Sequence, residues 1–325
     1  MNAIKYSVVI PIYNESKVVP KLHKRLVKVM GGLKETYEIV FVDDGSQDDS
    51  LTILKDIAAT DNNVVVVVHC KNFGQSAGLA NGFSRSRGEI VISMDGDLQH
   101  DPYEIPQFIE KINDGYDLVS GWRSKRVDNL WSRKIPSKIA NWIMSKVSGI
   151  KLHDFGTTFK AYRRDLLEDI ELIGEMHRFI PALISRRGGR ICEIPIKNIQ
   201  RPVGKSNYNI MRTFHVIFDM LTIKFLISYM DRPLHIYGSI GIVFFTGGFS
   251  IAGLIAGAYY FAGLIIQNHI GNLILSVLLM ILGVQLTAFG MIMEIVSRIY
   301  NNTSKRQMYP VRQVFANNTL EDKIK

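Results

Sequence analysis

Cysteine is almost missing from this chain: Cys70 and Cys192 are the only two in 325 residues. So few thiols exclude a disulfide framework and fit a reducing compartment, and without any CxxC spacing a structural zinc site is excluded as well. A secretory leader is also missing, because "MNAIKYSVVIP" runs straight into a strand; roughly the first 230 residues are expected to stay in the cytosol. The third absence is charge. From Pro233 to Met293 there is no Asp, Glu, Lys or Arg, a run of 61 residues. As one helix that would be about three times the roughly 20 residues a bilayer needs, so two membrane spans are expected. The break falls at "QNHIGN", Gln267 to Asn272, leaving Ile236–Ile266 and Leu273–Ser297 as the spans. Helices of that length with no charged face have no side for water, which argues against a pair of buried core helices. The loop between them is uncharged, whereas Lys224 and Arg232 precede the pair and Arg298, Lys305, Arg306 and Arg312 follow it. A positive-inside bias of this kind places both termini in the cytoplasm.

What is present begins with acids in an unexpected place. In "EIVISMDGDLQHDP", Glu89 to Pro102, an apolar strand runs directly into Asp95, Asp97, Gln99 and Asp101. Crowded carboxylates repel one another, so such a cluster either holds a cation or is a solvated acidic turn. Around it, strands and helices alternate at short intervals. "YSVVIPIYN" reads as a buried strand, Ser16–Met30 as a helix and "YEIVFVDDGSQDDS" as a strand ending in acids. Ser50–Ala59 reads as a helix, "VVVVVHC" as a strand, Ser76–Ser86 as a helix and "EIVISMD" as a strand. This is the pattern of a parallel α/β sheet with helices on both faces, whose ligands lie beyond the carboxyl ends of the strands. Asp43, Asp44, Asp95 and Asp97 all fall at that edge. Two amphipathic stretches follow, Asn129–Val147 and Ile210–Tyr229; the second suits either an interfacial helix on lipid or packing against the α/β domain. The tail after Tyr300 is polar and is expected to be loosely ordered. A net charge of +9 suits a partner that is anionic lipid or phosphate.

Six ordered motifs, "VVIPIYNE", "VDDGSQDDS", "NFGQSAGLANGF", "MDGDLQHDP", "HDFGTTFKAYRR" and "QRPVGKSNY", resemble those of the family 2 inverting glycosyltransferases, in particular the polyprenyl-phosphate sugar transferases. The resemblance covers essentially all of the chain before the apolar run. It implies a GT-A, Rossmann-like nucleotide-sugar-binding domain over residues 1–209, an amphipathic juxtamembrane helix over 210–232, a transmembrane hairpin over 233–300 and a cytosolic tail over 301–325. The implied reaction is transfer of a hexose, with glucose from UDP-glucose as the expected donor, to the phosphate of a polyisoprenyl carrier. Alternative donors are GDP-mannose and a UDP-aminoarabinose derivative.

The same resemblance implies roles for individual residues. Pro11, Tyr13, Glu15, Asp43 and Asp44 would hold the nucleotide, for which carboxylates are suitable acceptors of imide N–H and ribose hydroxyl hydrogen bonds. Asp95, Asp97 and Gln99 would hold Mg²⁺ or Mn²⁺, whose preference for hard oxygen ligands they meet. Arg123 would face the diphosphate and Asp154 would stand where a general base belongs. The acceptor phosphate is already mostly a dianion at neutral pH, so Asp154 is expected to orient the site more than to deprotonate. Arg133 and Ser137, four apart in a basic segment that holds six Lys/Arg against one Asp from Arg123 to Lys138, would grip the acceptor phosphate. Arg201, Lys205 and Ser206 would close over the diphosphate. His153, His177 and His215 stand alone in the sequence and read as structural. Expected partners are thus a nucleotide-sugar donor, a polyprenyl phosphate and membrane lipid, with no nucleic acid. Gly238, Gly241, Gly247 and Gly248 would allow close helix packing within the chain or in a homo-oligomer.

Two other readings stay open at this point. A processive polysaccharide synthase of the same superfamily would carry a QxxRW motif, which is absent here, and would need more than two spans. A non-catalytic membrane module that binds nucleotide sugar would be expected to have lost the DxD pattern.

Overall fold

The computed structural model describes residues 3–123, 145, 149–168, 170, 172, 174, 176–197, 233–263, 265–303 and 311–316. They belong to two compact units, one formed by Met1–Met220 with Gln307–Lys325, the other by Leu221–Arg306.

The first unit is built on an eight-stranded sheet. Runs of Val and Ile, which suit a pleated buried surface, form β1 (Tyr6–Ile12), β2 (Tyr37–Asp43), β3 (Val64–His69) and β4 (Ile90–Ser93). Helices α1 (Val19–Gly32), α2 (Ser50–Thr60) and α3 (Gln75–Arg85) connect them, and α4 (Ile105–Asn113) follows β4. Then come β5 (Leu118–Arg123), β6 (Lys160–Arg163), α5 (Ile180–Arg186) and β7 (Ile191–Ile196), with β8 (Val311–Ala316) supplied from beyond the apolar run. The spatial order is β7-β5-β6-β4-β1-β2-β3-β8.

Strands β4, β1, β2 and β3 are mutually parallel. The wholly parallel sheet expected from the alternation is modified on both sides of this centre. Strand β6 lies antiparallel between β4 and β5, and β8 lies antiparallel outside β3. Strand direction is set by how the chain enters, and neither β6 nor β8 arrives by the short helical crossover that enforces parallel pairing. The tail, expected to be loosely ordered, therefore contributes a strand. Its six residues cover the edge of the Val-rich β3, which would otherwise offer a bare apolar template to other chains.

Period-two alternation divides the sheet's side chains between two cores. On one face Val8, Ile10, Phe41 and Ile92 meet Leu22 and Leu26 of α1, Leu54 of α2 and Phe108 of α4. On the other, Val9, Val40 and Val91 meet Leu79 and Phe83 of α3 and Ile180 and Ile184 of α5. Each such fully buried side chain stabilises the fold by about 1.5–3 kcal/mol. Most of the loops that matter below leave the carboxyl ends of β1, β2, β3 and β4; the segment between β5 and β6 and the strand β8 supply the rest.

The second unit contains α6 (Pro233–Ala262) and α7 (Ile270–Thr303), both long and apolar enough to cross a membrane. Their outer faces carry exposed Ile, Leu, Val and Phe along most of their length. The break begins at Gly263, whose φ of +67° ends α6 as a left-handed cap, a few residues before the expected "QNHIGN". A Cβ on Gly241 would stand 2.6 Å from the Gly283 carbonyl oxygen, so glycine lets the two backbones touch there. Gly248 packs similarly on Ser276, whereas Gly247 meets nothing within 4 Å.

Candidate active site

The loop after β1 and the loop after β2 are tied together by hydrogen bonds that use up their backbone donors. Asn14 N–H donates to Ser46 Oγ (3.0 Å), Gln47 N–H to Asn14 Oδ1 (2.8 Å), Glu15 N–H to Ser50 Oγ (2.9 Å) and Ser16 N–H to Asp48 Oδ2 (3.1 Å). Burial alone would raise the Asp48 carboxyl, but the hydrogen bonds from Ser50 and Ser16 outweigh it and hold the group down to about 2. Tyr13 stands exposed at the top of this pair of loops, Glu15 is half-buried and Pro11 is half-buried near the end of β1.

Asp43 and Asp44 are adjacent and both buried, yet they do different things. Asp44 is committed to the protein: Oδ1 receives His69 Nδ1 and the Phe73 N–H, and Oδ2 the Gly74 N–H, each at 2.8 Å. Asn81 Nδ2 in turn donates to His69 Nε2 at 2.8 Å, which assigns the imidazole proton to Nδ1. This chain of contacts fixes the Asn72–Gly74 turn before α3. Asp43 has only one oxygen satisfied, Oδ2 by the Ser46 N–H at 3.3 Å. Its Oδ1 is buried and, among the described residues, meets no hydrogen-bond donor. Burial pushes the Asp43 carboxyl up. A buried acceptor left open costs free energy unless a ligand supplies the donor. The Asp43 side chain lines a cavity of about 310 Å³ together with, among others, Tyr13, Gly45, Gln47, Lys71 and Arg312. Gly45 has φ +70°, and a Cβ there would come within 2.7 Å of the Lys71 carbonyl carbon, so only glycine lets the two loops close the cavity floor.

The acids after β4 form a row. Asp95, Asp97 and Gln99 are half-buried, while Gly96 and Leu98 between them and Met94 and His100 on either side are buried. Leu98 holds φ +58°, a left-handed conformation unusual for this residue type, and the Gln99 N–H donates back to Asp97 Oδ1 at 3.0 Å. Gln75 at the start of α3 donates to Asp95 Oδ1 at 2.5 Å. Beneath them His100 is stacked on Phe159 with ring centroids 5.3 Å apart, and burial depresses its basicity. Among the described residues no group of three or more His, Cys, Asp or Glu is arranged to hold a metal by itself. Two carboxylates and an amide oxygen are, however, what a Mg²⁺-like ion takes from a protein when substrate phosphates complete its shell, so the row fits such an ion together with a diphosphate.

Arg123 ends β5 and makes a two-pronged ion pair with Asp154, Nε to Oδ2 at 2.6 Å and Nη2 to Oδ1 at 3.0 Å. The Gly156 N–H also donates to Asp154 Oδ1, at 3.1 Å. With both oxygens engaged, Asp154 is placed as a positioning carboxylate for a guanidinium rather than as a free base. Lys160 at the start of β6 is fully buried close by, its ammonium donating to the Thr157 carbonyl. Burial, only partly opposed by Asp154, brings its pKa down to about 8.

Arg133, Ser137, Arg201, Lys205 and Ser206 lie outside the described residues, as do the amphipathic stretch Ile210–Tyr229 and, except for Ser145, Asn129–Val147. His215 does too. His153 and His177 are not isolated in space. His153 is stacked on Trp122 and pairs with Glu193 at 2.9 Å, and His177 Nδ1 meets Ser76 Oγ at 2.8 Å. The sequence reading missed His69, Gln75, His100, Lys160 and Arg312. For four of these the available signal was a polar residue inside or next to an apolar strand or in the "NFGQS" turn; Arg312 was counted only as a membrane-flanking charge.

Comparison with known proteins places this arrangement. Residues 7–171 match the family described as glycosyl transferase family 2. Dodecaprenyl-phosphate galacturonate synthase of Rhizobium johnstonii is 36% identical over 97% of this chain and 94% of its own. Undecaprenyl-phosphate 4-deoxy-4-formamido-L-arabinose transferase of Proteus mirabilis is 33% identical over 95% of this chain and 94% of its own. In fold the first unit is similar to glucosyl-3-phosphoglycerate synthase from Mycobacterium tuberculosis, with a TM-score of 0.53, 18% identity and coverage of 68% of this chain and 78% of that one. Mannosyl-3-phosphoglycerate synthase from Rubrobacter xylanophilus gives a TM-score of 0.55 at 14% identity, covering 68% and 74%. With the family matched across the acid row and Asp154, and relatives aligned almost end to end, the chain is a member of glycosyl transferase family 2 with a GT-A fold.

Proposed function

We propose that this protein transfers a glycosyl group from a UDP-sugar to a polyprenyl phosphate at the cytoplasmic face of a membrane, with inversion at the anomeric carbon. The observation that carries this reading is the row Asp95, Asp97, Gln99 standing at the same sheet edge as the open Asp43 carboxylate and the Arg123–Asp154 pair. The names of the relatives that align over nearly the whole chain support the lipid-phosphate acceptor. They do not support the glucose expected from the motifs, because those relatives are named for galacturonate and formamidoarabinose. The donor reading is therefore a UDP-sugar bearing a substituent of that kind. The mycobacterial synthase solved with Mn²⁺ and UDP supports the uridine nucleotide and the divalent ion.

In the proposed reaction an oxygen of the acceptor phosphate attacks the anomeric carbon, the bond from that carbon to the diphosphate breaks, and UDP leaves. A phosphate monoester has its second pKa near about 6, so no protein group need remove a proton from it at neutral pH. Arg123, held by Asp154 at this edge, carries the planar guanidinium suited to phosphate oxygens. Asp95, Asp97 and Gln99 would hold a divalent cation, which when bound neutralises charge on the departing diphosphate. Strands on either side of the apolar pair lie in one sheet, so if α6 and α7 both cross, their outer ends share a side. The test is a radiolabelled transfer assay on the full chain in lipid, offering UDP-galacturonate, UDP-formamidoarabinose, UDP-glucose and GDP-mannose to undecaprenyl phosphate. Label should appear in the lipid phase from a UDP-sugar, and UDP-glucose should trail the first two. No transfer from any donor would overturn the reading.

A further inference from the structure

The strand that returns from beyond the apolar pair contains an irregularity placed where it matters. Along β3 and β8 the pairs Val65–Ala316, Val66–Phe315, Val67–Val314 and Val68–Gln313 keep step, and the next pair is His69–Val311. Arg312 is left without a partner on β3. It is the extra residue of a β-bulge, and bulges beside active sites turn one side chain out of the ladder and give it a new direction. Here that side chain is exposed and lines the same cavity as Asp43, whose carboxylate is buried with one oxygen unsatisfied among the described residues. The rest of β8 is held firmly enough to keep it there: Phe315 packs against the core and Lys55 Nζ sits 4.6 Å above its ring.

We propose that Arg312 is a specificity-determining residue for the donor, reading the base of the uridine nucleotide together with Asp43. The inference rests on the UDP-sugar reading above and adds to it a wall of the donor pocket made by the far end of the chain. The chemistry fits a pyrimidine-2,4-dione edge, in which an imide N–H is flanked by two carbonyl oxygens. The Asp43 carboxylate is the acceptor for the N–H, and the Arg312 guanidinium is the donor for a neighbouring carbonyl. Cytosine offers a lone pair where Asp43 needs a donor, so the same pair disfavours it. The cavity volume of about 310 Å³ lies at the lower end of the roughly 300–1,000 Å³ usual for small-ligand pockets, enough for a base and its ribose.

The experiment uses the full chain in nanodiscs with Mn²⁺ and measures dissociation constants for UDP, CDP and uridine by calorimetry and competition. Arg312→Ala should weaken UDP about tenfold and uridine by a similar factor, Arg312→Lys should recover part of the loss, and Gln313→Ala on the same strand should match the wild type. The wild type should prefer UDP to CDP. Unchanged UDP binding in Arg312→Ala would overturn the inference while leaving the transferase reading intact. Weaker UDP with unchanged uridine would overturn it by placing Arg312 on the diphosphate. An equal loss in Gln313→Ala would overturn it by assigning the effect to the strand as a whole. A wild-type chain that binds no UDP would remove the UDP-sugar reading and this inference with it.

Discussion

The two pairs of aspartates at the ligand edge, Asp43 with Asp44 and Asp95 with Asp97, differ by one residue of spacing, and that difference separates their work. Neighbouring residues at the end of a strand point to opposite faces, so Asp44 satisfies His69 and two backbone N–H groups, while Asp43 lines the cavity and keeps one oxygen unsatisfied among the described residues. Asp95, Asp97 and Gln99, just past the end of β4, alternate with buried residues and each stay partly exposed. Adjacent acids divide into one committed to the protein and one left with an unsatisfied oxygen. Alternate acids make a platform.

The sharpest way to break the comparison is at the platform. Asp97→Ala should lower transfer by about 10³-fold or more, since several kcal/mol of charge stabilisation on the leaving diphosphate is removed, while thermal unfolding stays close to wild type. Reversible loss of transfer in EDTA, restored by Mn²⁺ or Mg²⁺, should accompany it. Transfer that persists in chelator would show that the row does not act through a cation.

The adjacent pair should give opposite signatures. Asp44→Ala strips the acceptor from two backbone donors and His69, and a loss of about 3 kcal/mol of stability is expected, read as a lower unfolding temperature. Asp43→Ala should leave that temperature unchanged or raise it, and should instead weaken UDP binding about tenfold. Similar stability losses from both would remove the division of labour.

The smallest effect concerns Lys160, the buried cation on β6 beside the strand that carries the alternate acids. Folding lowers its pKa from 10.5 to about 8. Between those values the unfolded chain holds more protons than the folded one, so stability should rise with pH across that window and the penalty should be constant below it. Lys160→Met should flatten this rise and stabilise the protein at pH 7, as followed by unfolding temperature from pH 7 to 10.5. An unchanged slope would assign it to other groups.

The central strands and the first three helices were legible because each is a local pattern: four apolar runs, each ending in a turn of acids, glycine or asparagine. The acid row was legible for the same reason, its spacing being contained within five residues. Strand β8 was not. "VRQVFA" shows no period-two alternation, and its pairing partner is β3, which precedes the whole apolar run. Nor could the different fates of Asp43 and Asp44 be read, since the partners that decide them, His69 and the Phe73–Gly74 backbone, come from another strand and another loop. His153 and His177 were likewise alone only along the chain.

The position of β8 also sets an order of events during synthesis. A ribosome that has finished β1 to β7 has released a sheet whose β3 edge is bare and whose cavity beside Asp43 lacks Arg312. Both apolar helices are synthesised before the last strand. Until that strand pairs, the Val-rich edge is open to wrong partners, the hazard of any incompletely paired strand. Protection of the edge and completion of the cavity are thus one event, and the last that the chain can supply.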